Sequence, residues 1–260
     1  MTRLGRRAAL ALPATAFLQP RKGVAAPLAA TPIGRMDLPW WRARHEEKLA
    51  RLRAGPVRLI WLGDSITQNF EKRGPTPETD YPPVWDRFYG DRDALNLGFS
   101  GDTTASVLWR LANGEVDGIA PAAVVLLIGA NNLGHVHWGA EDTLAGIEAI
   151  MAELRRRLPG AKVVLLGVLP RAGDAWVIGT HDKINEGLAQ RYGHAAGVTY
   201  IDASPQFMRG GRIDDDLYSD PHQSPPGGAL HPNVAGMTRI ATLIERPLSA
   251  YLGDRDKTAA

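Results

Sequence analysis

Residues 122–128 (AAVVLLI) hold no polar side chain and stop abruptly at Gly129-Ala130-Asn131-Asn132. A run this short and this continuously apolar suits a strand buried on both faces, as at the centre of a parallel sheet covered by helices. Runs dominated by apolar residues recur at 57–62, 94–99, 162–169 and 198–202, and each ends in glycine, proline or a polar turn. Helical spacing marks residues 38–52, 104–112, 141–158, 184–196 and 234–251. Strand and helix patterns therefore alternate about five times. The chain is expected to form an α/β domain with a five-stranded parallel sheet, helices on both faces and ligands at the carboxyl ends of the strands.

The first thirty residues stand apart. MTRLGRR is basic, residues 8–18 are apolar and small residues follow over 24–30, the pattern of an export signal; Arg6-Arg7 suggests the twin-arginine type. A cut near Ala26 or Ala30 is expected, which divides the chain into a leader (1–30) and one domain (31–260) and places the protein in the periplasm or outside the cell. Removing residues 1–26 takes away five basic and no acidic residues, leaving 25 Lys and Arg against 28 Asp and Glu, a net charge of −3. The apparent basicity belongs largely to the leader and gives no support to nucleic-acid binding. No apolar run reaches the ~18 residues of a membrane-spanning helix. The absence of cysteine excludes disulfides, thiolate metal sites and cysteine nucleophiles.

Four groups fall at strand ends or in an adjoining loop: Gly63-Asp64-Ser65, Gly101, Asn131 and His231. From its own surroundings alone, Ser65 reads as an ordinary helix cap ahead of an exposed nucleophile. Together the four groups supply what acyl transfer needs. Ser65 is the hydroxyl nucleophile and His231 the base, while the N–H groups of Ser65 and Gly101 and the side-chain amide of Asn131 stabilise the oxyanion.

GDSITQ at 63–68, NLGFSGDTT at 96–104, GANN at 129–132 and LHPN at 230–233 resemble, in order, the blocks of the SGNH hydrolase (GDSL esterase) superfamily. The text at 102–121 and the Pro170-Arg171 pair are most similar to the branch of platelet-activating-factor acetylhydrolase alpha subunits. The resemblance spans residues 40–252. It implies a three-layer α/β/α, flavodoxin-like sheet and a cofactor-independent esterase with Ser65 as nucleophile, His231 as base, and Gly101 and Asn131 in the oxyanion hole.

Two departures stand out. Asn132 replaces the usual aspartate, at a position read as a turn or cap. Gly228 occupies the place, three residues before the histidine, where the family keeps the acid that orients the imidazole. Asp220 is the candidate replacement, because the insertion at 222–228 can loop out and return Asp220 to His231; Asp214, Asp215 and Asp216 rank behind it. A backbone carbonyl, a bound anion or a plain Ser-His dyad are the alternatives.

Asp64 reads as a turn-stabilising acid and Asp102 as a helix N-cap. Trp40 and Trp41 are expected to cover one end of the domain, and Trp109 to pack under a helix. His135, His137 and Trp138 are rim or surface residues, and Trp176 is packing or substrate wall. The leading expectation is an exported esterase that removes a small acyl group, acetyl above all, from a carbohydrate or other hydroxylated small molecule. A lipid ester of the platelet-activating-factor kind is the alternative substrate. A non-catalytic carbohydrate-binding or cell-envelope protein is the alternative class. A nucleotide-binding domain is disfavoured, since neither GxGxxG nor GxxxxGK[ST] follows the first strand.

Overall fold

The computed structural model describes residues 25–259, and within them strand and helix alternate: Pro39–Ala54 (α1), Leu59–Gly63 (β1), Ser65–Gln68 (α2), Pro82–Tyr89 (α3), Ala94–Gly98 (β2), Thr104–Ala112 (α4), Ala123–Leu127 (β3), Ala130–Gly134 (α5), Ala140–Arg157 (α6), Lys162–Leu166 (β4), Ala175–Tyr192 (α7), Val198–Ile201 (β5), a small hairpin of Met208–Arg209 (β6) and Arg212–Ile213 (β7), and Val234–Leu252 (α8). The first five strands form one parallel sheet in the order β2-β1-β3-β4-β5. Successive side chains along each strand part to opposite faces. Ile60, Leu62, Val124 and Leu126 join one apolar cluster with residues of α4, α6 and α7. Leu59, Trp61, Val125 and Leu127 join a second with residues of α3 and α8. This is the three-layer α/β/α architecture, and the centrality of β3 follows from its having apolar residues for both faces.

The strand order sets where the polar groups meet. β1, β2 and β3 are neighbours, so the turns that leave their carboxyl ends lie side by side. Gly63 and Gly98 are partners across β1 and β2. A Cβ at position 98 would stand 2.2 Å from the backbone nitrogen of Gln68; only the missing side chain lets α2 lie directly on the strand ends. Ser65, the first residue of α2, is thereby held at the sheet edge.

Three local expectations need correction. α7 begins at Ala175, nine residues before the position read from the sequence, because the Asp174 carboxylate accepts the Val177 N–H (2.9 Å) and starts the helix there. Asp102 is not an N-cap: Thr103 takes that position, the Asn132 side-chain oxygen accepts the Thr104 N–H (3.0 Å), and the Asp102 carboxylate is occupied elsewhere. Trp40 and Trp41 do not act together, since Trp41 is fully buried and Trp40 is 44% exposed.

Most of the expected leader, residues 1–24, lies outside the described residues. The turn Leu28–Ala30 packs on the domain N-terminal to the boundary read at residue 31: Ala29 is buried, its carbonyl accepts the Thr104 hydroxyl (2.8 Å), and the Ile33 N–H reaches the Ala105 carbonyl (3.0 Å). No described helix is long and apolar enough to cross a membrane.

Candidate active site

Residues 217–220 and 230–233 run antiparallel beside the sheet. Tyr218 and Pro232 form a bridge, the Asn233 N–H donates to the Leu217 carbonyl (2.9 Å) and the Ser219 N–H to the His231 carbonyl (2.9 Å). This register sets Asp220 against Leu230 and His231. The stretch between them closes on itself, with the Gly227 N–H on the Asp220 carbonyl (2.8 Å). Gly228 has no room for an acid: a Cβ there would stand 2.6 Å from Cβ of Ala172.

Asp220 Oδ1 lies 2.9 Å from His231 Nδ1, and His231 Nε2 lies 3.0 Å from Ser65 Oγ. A carboxylate can only accept, so Nδ1 carries the hydrogen and Nε2 is free to accept from the serine hydroxyl. Oδ2 of Asp220 accepts the backbone N–H of Leu230 (3.0 Å) and that of His231. Burial alone would raise the Asp220 carboxyl, but these bonds and the imidazole hold it below the ordinary carboxylate value.

Asp64 precedes the serine and caps α2, its Oδ1 accepting the Ile66 N–H (2.9 Å). Its Oδ2 is buried without a partner among the described residues. Burial pushes this carboxyl up to about 7, against the opposing pull of the Ile66 N–H and His231.

Across from the histidine, Gly101 has φ +73, a left-handed conformation that glycine adopts without strain. The N–H groups of Ser65 and Gly101 meet no protein acceptor among the described residues. Asn131 is buried, and its amide donates one hydrogen to the Asp102 carbonyl (2.9 Å), which orients the other. Ser65, Gly101 and Asn131 thus lie on three adjoining turns, with His231 and Asp220 beside Ser65. Asn132 serves α4, binding the Thr104 N–H and hydroxyl.

The groups behind Gly101 escaped the sequence reading. Asp102, fully buried, accepts from Trp41 Nε1 (2.8 Å), Arg110 Nε (2.8 Å) and Arg35 Nη1 (3.1 Å). Arg110 also pairs with Glu115 and donates to the Gly63 carbonyl (3.1 Å), and Glu115 meets His45 Nδ1 (3.1 Å). Buried charges are retained only when paired like this. Arg110 carried a signal, since it follows Val107 by three residues on the apolar face of α4; Arg35, in an irregular segment, carried none. Among the remaining candidates, His135 and Trp138 border a groove that reaches Gly101, and the rings of His137 and Trp176 lie 5.5 Å apart. Trp109 packs against Trp41 and His45. Asp214 and Asp216 pair with Arg209, away from the histidine.

A family model, GDSL-like Lipase/Acylhydrolase, matches residues 61–239. The chain is 32% identical over 187 residues to platelet-activating factor acetylhydrolase IB subunit alpha1 of Bos taurus, covering 71% of this chain and 75% of that one. Its fold is similar to that of a GDSL-like lipase from Bacteroides thetaiotaomicron (TM-score 0.60, 19% identity, 80% and 97% of the two chains). It is also similar to a carbohydrate esterase family 3 structure from Talaromyces cellulolyticus (TM-score 0.56, 20% identity, 76% and 99%).

Proposed function

The chain belongs to the GDSL-like lipase/acylhydrolase family and is a carboxylic ester hydrolase, and from that premise we propose that it removes small acyl groups, acetyl first, from hydroxylated substrates by a Ser65-His231-Asp220 triad. The observation that carries this reading is the continuous line from Asp220 Oδ1 through the imidazole to Ser65 Oγ, at 2.9 and 3.0 Å. Ser65 Oγ attacks the ester carbonyl and gives its proton to His231 Nε2. The carbonyl oxygen becomes an oxyanion facing the N–H groups of Ser65 and Gly101 and the free amide hydrogen of Asn131. His231 then protonates the departing alcohol, leaving an acyl-serine. Water, deprotonated by His231, attacks the acyl carbon and releases the carboxylic acid and the serine hydroxyl. Asp220 keeps the hydrogen on Nδ1 and stabilises the imidazolium.

The alcohol is the open half of the substrate. A carbohydrate ester draws support from the carbohydrate esterase fold neighbour, and a platelet-activating-factor-like lipid from the mammalian relative. Hydrolysis of p-nitrophenyl esters of increasing acyl length tests the acyl side: activity falling steeply beyond acetate is expected, and activity rising with length overturns the acetyl reading. In S65A, p-nitrophenyl acetate turnover should fall by about 10⁴ or more, together with loss of labelling by an organophosphonate. Failure of the folded wild-type protein to be labelled would favour the binding-protein alternative. That alternative rests on Gly228, and a carboxylate on Nδ1 removes its motive.

Export completes the proposal. Cleavage at Ala30 would remove the packed Ala29, so the cut belongs near Ala26. Sequencing the N-terminus of protein recovered from the periplasm or medium tests it, and a full-length chain retained in the cytoplasm would refute export.

A further inference from the structure

The groove beside Gly101 is larger than an acetyl group needs. It has a volume of about 390 Å³ and is lined by Ile33, Arg35, Gly101, Ser106, His135 and Trp138 among others. At ~30 Å³ per water-sized group, that is room for about a dozen non-hydrogen atoms, one sugar ring or a phosphorylated head group. No Asp or Glu is among its lining residues. Asp102, next in sequence to Gly101, is fully buried and bonded to Trp41, Arg110 and Arg35, so its charge does not face the groove.

Arg35 is fixed from behind. Nη1 donates to the Ser100 carbonyl (2.8 Å) and to Asp102 (3.1 Å), and the ring of Trp40 lies 5.5 Å from Cζ. Nε and Nη2 meet no acceptor among the described residues, and the side chain is 27% exposed. A guanidinium whose geometry is already set, with donors to spare, is preorganised for the oxygens of a carboxylate or phosphate. It lies before the family match, which spans residues 61–239.

We propose that this groove is an anion-selective subsite: it takes the alcohol part of the ester, and Arg35 binds a carboxylate or phosphate on that part. The proposal rests on the ester-hydrolase reading above, because Gly101 is the wall common to groove and oxyanion hole. The two anions correspond to two sources, a uronate sugar and a phosphorylated glycerol head group.

The test compares matched acetyl esters on the full protein: O-acetylglucuronate against O-acetylglucose, and acetylglycerol 3-phosphate against acetylglycerol. In the wild type, at least one acidic ester should exceed its neutral partner in kcat/KM by about tenfold, the effect of one hydrogen bond to a charged group, and mainly through KM. Preference for the uronate alone assigns a carbohydrate source, and for the phosphate alone a lipid-type head group. In R35Q the acidic-to-neutral ratio should fall close to one, and R35K should retain part of it. Any loss of oxyanion alignment in these variants lowers both members of a pair and cancels in the ratio. An unchanged ratio in R35Q, or no acidic preference in a wild type that hydrolyses p-nitrophenyl acetate, overturns the subsite while leaving the esterase reading intact. Should R35Q fail to fold, inhibition of wild-type p-nitrophenyl acetate hydrolysis by glucuronate or glycerol 3-phosphate decides. Competitive inhibition that weakens with salt supports the proposal, and its absence for both ligands refutes it.

Discussion

The turn before Ser65 and the loop before His231 each carry an aspartate, and their surroundings push the two in opposite directions. Asp64 has one hydrogen-bond donor for two buried oxygens, and burial lifts its carboxyl to about 7. Asp220 has donors on both oxygens, from the imidazole of His231 and from the N–H groups of Leu230 and His231, and stays below the ordinary carboxylate value. Ionisation therefore follows the balance of burial against the donors provided, not proximity to the serine. The lesson is that Asp220, eleven residues upstream of the histidine, is electrostatically suited to stabilise an imidazolium, whereas Asp64 is suited to hold up a turn.

The sharpest way to break this contrast is D220N. It keeps the size of the side chain but removes the charge and no longer dictates the tautomer, so kcat for p-nitrophenyl acetate should fall by about 10³ to 10⁴. A loss below tenfold would deny Asp220 its role. Removing a donor on the other side of the reacting carbonyl should cost less: N131A is expected to lower kcat by roughly 10² to 10³ with a smaller change in KM, measured by steady-state kinetics. Moving the acid to the position usual in the family should not repair D220N. In the double variant D220N/G228D the new Cβ collides with Ala172, so turnover should stay low and stability should drop by about 1–3 kcal/mol in denaturant melts. Recovery of turnover would mean that the loop repacks easily.

The smallest catalytic effect belongs to Asp64. Its folded pKa is raised above the ordinary value of 3.8, so the folded protein holds the proton more tightly than the unfolded chain between about pH 4 and 7. Its contribution is fully favourable below pH 4 and is lost as pH rises through 7. D64N should flatten that part of the stability profile, keep the bond to the Ile66 N–H and change kcat by less than about tenfold. Asp220 works with the reverse sign: its depressed pKa contributes stability above the unfolded carboxylate range, lost as pH falls through its folded value. Melts across the acid range should therefore lose this contribution in D220N.

The legibility of the site followed the range of the interactions that build it. Ser65, Gly101, Asn131 and His231 were readable because each sits in a short block at the end of a recognisable strand or the start of a helix. The sheet was readable because β3 is apolar on both faces and the other strands stop at clear breaks. The start of α7 was not, since Trp176, Val177, Ile178 and Gly179 are weak helix formers, and the Asp174 cap with burial of Val177 outweighs them. Asp102 looked like a cap because its neighbours in the sequence are a turn and a helix; Arg35 and Trp41 from a distant segment, with Arg110 of the adjoining helix, claim its carboxylate instead.

Local preference and burial pattern, both written in consecutive residues, determined that this chain alternates strand and helix and brings a serine, a glycine and an asparagine to one edge of a sheet. Tertiary structure alone decided which carboxylate meets His231 and which guanidinium borders the groove. Those choices depend on the antiparallel pairing of 217–220 with 230–233 and on the path of residues 33–35 over Gly101. Charge pairing between segments far apart in the chain is a property of distances in space, and the spacing of letters in a sequence does not encode it.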